Sequence, residues 1–113
     1  MKEIIKATKE LSKVETYLMT QSNTMVSLKD LEDGEEIEVL AVCEYRDSKE
    51  NGEVTELTSI MSNNNKVICF QSKTATNTLN ELVNLFGNES FKVRKISGKS
   101  KAGREFVDFE LVI

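Results

Sequence analysis

The chain has 113 residues, 39% of them hydrophobic and 30% charged, with a formal net charge of −4 and neither histidine nor proline. That length predicts one domain able to bury a core without disulfides or metals, and no apolar run approaches the ~20 residues that span a bilayer. Without histidine the commonest general base and the Ser-His and Cys-His pairs are missing, so no enzyme is expected. Cys43 and Cys69 cannot alone complete a four-ligand zinc site, and no cofactor is expected.

The N-terminus, MKEIIKATKELSK, carries scattered charges and no apolar core, so it does not read as a secretory signal and an intracellular protein is expected. Ile4, Ala7, Leu11 and Val14 fit a helical face, whereas TYLMT (16–20) is β-prone. Residues 1–13 therefore stay open between helix and strand, 15–20 is expected to be a strand, and 1–26 forms an N-terminal arm or extra strand.

SLKDLEDG (27–34) predicts a turn with two buried leucines. A long strand follows, with Ile37, Val39, Ala41, Cys43 and Tyr45 on one face and Leu40 and Val42 making it apolar on both faces at mid-strand. DSKENGE (47–53) is a hairpin turn, VTELTSIMS (54–62) the return strand, Asn63-Asn64-Asn65 another turn, and KVICFQ (66–71) a third strand. The two cysteines sit in apolar alternating segments and are expected to be buried free thiols. TATNTLNELVNLF (74–86) predicts a helix capped by Thr74 or Thr76, with Leu79, Leu82, Val83, Leu85 and Phe86 as its apolar face and Gly87 at its end. FKVRKISGKSKAGREFVDFELVI (91–113) predicts a β-hairpin around a glycine-bearing turn. A three-stranded meander, a helix and a hairpin are the order of a mainly β, OB-fold-like five-stranded barrel, with the helix between strands three and four. The expected organisation is a single OB-like domain over 1–113, its barrel over 27–113.

Charge is unevenly spread. Residues 30–56 hold eleven acids against Arg46 and Lys49, while 89–104 carries Lys92, Arg94, Lys95, Lys99, Lys101 and Arg104 against Glu89 alone. Opposite potentials on different surfaces would let an acidic protein hold a polyanion locally. By alternation Lys95 falls on the core side, so a bulge or strand end is expected near Ile96. Phe106 lies off the Val107–Phe109–Leu111 register and should face outward.

Five pieces, namely IIKAT (4–8), SLKDLEDGEEIE (27–38), the run Ala41 to Tyr45, SKT (72–74) and FKVRKISGKSKAGREF (91–106) with Leu111, carry a family resemblance. The chain resembles the small single-stranded DNA-binding proteins of Bacillus phages whose genomes are copied from a terminal-protein primer. The resemblance implies an OB-type module that coats displaced strands during replication in the cytoplasm of the infected host. It implies tyrosine contacts with DNA, of which Tyr45 alone is kept here. The candidate stacking rings are Tyr45, Phe70 and Phe106. The candidate phosphate contacts are Lys92, Arg94, Lys95, Lys99, Lys101 and Arg104, with Arg46, Lys49 and Lys66 as a second group.

Single-stranded DNA is the expected partner, the phage DNA polymerase and a second copy of the chain are further candidates, and no membrane is expected. The chain ends on the apolar ELVI, so an acidic partner-recruiting tail is not expected. Two readings compete. One is an acidic module that binds a host protein. The other is a nuclease using Asp33, Glu35, Glu36 and Glu38, whose alternation across strand faces disfavours a shared metal.

Overall fold

The computed structural model describes residues 2–21, 23–87 and 89–113. It is mixed α and β, with two sheets and two helices. The strands are β1 (Lys2–Ala7), β2 (Val26–Ser27), β3 (Glu36–Val39), β4 (Ala41–Ser48), β5 (Val54–Met61), β6 (Val67–Phe70), β7 (Phe91–Lys99) and β8 (Glu105–Leu111). The helices are α1 (Lys13–Thr20) and α2 (Lys73–Phe86). One sheet has the order β1-β4-β5-β6-β2 and the other β3-β7-β8, so among the described residues no closed barrel forms.

The long strand over 36–48 is the joint between the sheets. It bends at Leu40, which is 44% exposed and donates its N–H to Met61 O at 2.9 Å. Before the bend Ile37 and Val39 join the main core. After it Ala41, Cys43 and Tyr45 turn into a second cluster under α1, while Val42 faces the main core. The expected single register is therefore broken, and the break lets one strand serve two sheets. β6 and β8, which would have to pair to close a barrel, are linked instead by Ser72 Oγ donating to Val107 O at 3.4 Å. The 3₁₀ turn Leu28–Asp30 packs beneath the gap, and Leu28 and Leu31 are buried there in the main core.

At the N-terminus the open alternatives resolve to an extra strand, and the strand expected over 15–20 is corrected. Residues 2–7 form the edge strand β1, antiparallel to β4, because the first sheet offers β4 as an unpaired edge. TYLMT is helical, since Ser12 Oγ accepts from Glu15 N–H while Glu15 reaches back to Ser12 N–H, a capping box that starts α1 at Lys13. Met19 then buries completely in the second cluster. Helix α2 is capped by Ser72 rather than by Thr74 or Thr76, and Leu85, counted on its apolar face, is 74% exposed.

Lys95 corrects the expectation of a bulge near Ile96. The pairing of β7 with β8 runs unbroken from Val93↔Leu111 to Lys99↔Glu105, so Lys95 points inward and is 5% exposed. Its ammonium donates to the carbonyls of Leu31 and Lys29 and lies 3.9 Å from Asp33 Oδ1. The backbone adds two links, Gly34 N–H to Lys95 O at 2.7 Å and Lys95 N–H to Glu35 O at 3.0 Å. Replacing Lys95 by Met leaves the carbonyls without their charged donor and should lower unfolding free energy by roughly 1.5–3 kcal/mol in urea titrations. The exposed Lys92→Met should stay within about 0.5 kcal/mol of wild type, and equal losses in both variants would show that the buried ammonium is not the cause.

Candidate nucleic-acid interface

The hairpin β7–β8 projects beyond the core. Its turn is closed by Ser100 N–H to Arg104 O and Gly103 N–H to Ser100 O, both at 2.9 Å, with Gly103 at φ 81°. Lys99, Lys101 and Arg104 stand exposed around this tip, and no ion pair reaches them among the described residues. Gly98 pairs with Phe106 across the strands, and a Cβ at 98 would lie 2.9 Å from Phe106 Cζ. A side chain at 98 would collide with the end of that ring unless the ring moved. Phe106 is 38% exposed, so part of its surface remains open.

Beside this ring lies a cleft of about 560 Å³ between the hairpin and the elements carrying Lys29 and Ser72. Lys99 and Glu105 line its outer part and Lys95 its floor. Lys29 was absent from the sequence-based candidates because its neighbours, Asp30, Glu32 and Asp33, make its segment acidic. It reaches the cleft only through the fold, since Lys95 holds its carbonyl.

The other predicted residues lie elsewhere or inside. Arg94 sits between Glu110 at 2.9 Å and Glu36 at 3.9 Å, Lys66 is 3.5 Å from Glu35, Arg46 is 3.4 Å from Glu56, and Lys49 is 4.0 Å from Glu53. Lys92 is exposed but faces Glu38 across the strands. The basic and acidic segments expected on separate surfaces are thus cross-strand neighbours over β3 and β7. Such exposed pairs contribute at most ~1 kcal/mol to stability, yet they cancel much of the local field.

Phe70 is 6% exposed and meets Phe109 edge-on at 5.4 Å, and Tyr45 is 2% exposed in the cluster under α1. Neither ring presents a face to solvent. Tyr17 on α1, never singled out from the sequence, is 52% exposed.

The carboxylates of the nuclease reading are individually engaged. Asp33 accepts from Ser97 Oγ, Glu35 pairs with Lys66, Glu36 with Arg94, and Glu38 accepts from Asn63 Nδ2 at 2.7 Å. The thiols are free. Cys43 and Cys69 both stand opposite Ser59, one on each neighbouring strand. They are therefore about 9–10 Å apart, two strand spacings, beyond the Cα separation that a disulfide tolerates. Cys43 is fully buried as expected, but Cys69 is half-exposed.

A family model described as Phage Single-stranded DNA-binding protein, of the phi29 type, matches residues 1–112. The chain belongs to that family. It binds single-stranded DNA in phage replication, and the family is one of binding proteins rather than enzymes. Comparison with curated proteins and with solved structures gives no match. No helix among the described residues is long and apolar enough to cross a membrane.

Burial pushes the Tyr45 hydroxyl up to about 12, with smaller contributions from Cys69, Cys43 and Asp47, and burial pushes the Cys43 thiol up to about 11. Both groups ionise at lower pH in the unfolded chain. Their stabilisation is therefore complete below about pH 8.5 and lost as pH rises through 11 and 12. Unfolding free energy should fall steeply between pH 9 and 12. Tyr45→Phe should flatten the upper part of that fall and Tyr17→Phe should not. Identical profiles for the two variants would contradict the burial of Tyr45.

Proposed function

We propose that an unpaired DNA strand lies along the β7–β8 hairpin and its cleft, and that the protein coats displaced strands without sequence preference. The observation that carries this is the tip of unpaired cations beside a half-open ring: Lys99, Lys101 and Arg104 next to Phe106 on Gly98. Lys29 faces the same cleft. Phosphates would follow the cations, and a base would stack on the ring beside Gly98. Stacking is tolerant of sequence because every base has a π-face.

In this reading Lys95 acts from inside by holding the cleft's floor, and Tyr45 and Phe70 act only as core. Arg46, Lys66 and Arg94 would need their carboxylates displaced before they could take a phosphate. The chain order supports kinship with the OB barrel, opened here where β6 and β8 do not pair. The setting would be the cytoplasm of the infected host beside the phage DNA polymerase. A second copy would have the exposed apolar side chains of Ile4, Ile5, Val14 and Tyr17 to contact.

Fluorescence anisotropy with labelled oligo-dT tests the reading. Affinity should fall steeply with salt and be far weaker for duplex. Changing Lys99, Lys101 and Arg104 together to Ala should flatten the salt slope by about 2, at ~0.7 per lost phosphate contact. An unaltered slope would place the track elsewhere. Phe106→Ala should lose roughly 1–3 kcal/mol of binding while Phe106→Tyr keeps it. If Phe106→Ala binds as wild type, the ring does not stack.

A further inference from the structure

The two sheets fail to meet between β6 and β8, and a second cleft of about 300 Å³ occupies that seam. Leu57 and Val107, both partly exposed, form its walls over the sealed Leu28 and Phe70, and Gln71 and Ser72 stand at its polar edge. It shares Lys29, Ser72 and Val107 with the hairpin cleft, so the two are continuous. We propose that the seam is a subsite for an unstacked nucleobase of the bound strand, entered from the hairpin past Lys29. The inference rests on the strand occupying the hairpin cleft.

The lining decides what fits. Lys29, at the junction, is the one cation among the residues lining the seam, so a chain of phosphates would lose its counter-charges there. Aliphatic walls suit the flat apolar face of a base. The Gln71 amide can donate to or accept from a base edge, while the Ser72 hydroxyl, whose proton goes to Val107 O, can only accept. A strand whose phosphates pass Lys99 and Lys29 thus has an apolar slot beside its path into which a base can turn. A duplex cannot use it, since its bases are paired and stacked, and the subsite would add preference for single strands beyond electrostatics.

Cys69 lines the same seam and is half-exposed, whereas Cys43 is sealed under α1. The full chain therefore carries its own reporter. Modification by Ellman's reagent at pH 8 and low salt would be followed alone, with oligo-dT, and with an abasic oligomer of equal length, anisotropy confirming that each is bound. Without DNA one thiol should react, and Cys69→Ala should abolish that reaction. Oligo-dT at about a hundred times its Kd should slow it at least ~tenfold, and the bound abasic strand should leave the rate nearly unchanged. Gln71→Ala, at an exposed position, should weaken oligo-dT by roughly two- to tenfold and leave the abasic oligomer unaffected.

Equal protection by the abasic strand would mean that phosphates cover the seam, and the base subsite falls. Bound oligo-dT with an unslowed thiol and an unaltered Gln71→Ala affinity would mean that the strand bypasses the seam, which leaves the hairpin reading standing. Absence of oligo-dT binding at low salt would remove the hairpin reading and this inference together.

Discussion

The arrangement depends on a buried positive charge. Lys95 lies inside the fold with its ammonium on the carbonyls of Leu31 and Lys29, and its own backbone is tied to Gly34 and Glu35. A charged group in such a place is tolerable only if its donors are satisfied, and the carbonyls of the 28–31 turn satisfy them. That turn is therefore stitched to β7 rather than free to wander over the surface. It carries Leu28 and Leu31 into the core at the point where the sheets do not pair, and it leaves Lys29 facing the hairpin. One interaction closes the core and shapes the cleft.

The distribution of the remaining charges explains how an acidic chain can belong to a family that binds a polyanion. Over β3 and β7, acids and bases face one another, Glu36 opposite Arg94 and Glu38 opposite Lys92. Glu56 similarly stands between Arg46 and Lys73. The hairpin outruns β3, so Lys99, Lys101 and Arg104 have no acids of that strand opposite them, and only Glu105 of β8 stands across from Lys99. Net charge is a poor guide here, because a local positive field is left over at the tip.

Alternation made the hairpin, the meander and α2 legible, because each is a local pattern that its own neighbours stabilise. What stayed hidden was set by contacts far along the chain. The edge strand β1 exists because β4 needed a partner, and TYLMT follows a capping box instead of its β-prone composition. The switch of face at Leu40 leaves no trace in a run that alternates on either side of it. Alternation put Lys95 on the core side, but it was kept among the phosphate contacts through an expected bulge, because its acceptors lie 64 and 66 residues away. At the candidate site Phe106 was legible from its register and the tip lysines from composition. Lys29 was not, being one base in an acidic turn, and Tyr45, in register with core residues, belongs to the interior.

The strand is proposed to lie on the hairpin side, against residues that Lys95 brings together. Backbone amide shifts of the full, isotopically labelled chain during titration with unlabelled oligo-dT address it directly. The predicted result is a set of large shifts confined to Lys29, to 97–107 and to the end of β6, with Glu36, Glu38 and the 63–65 turn nearly unmoved. Shifts concentrated on β3 and the 63–65 turn, with the hairpin tip unperturbed, would contradict it.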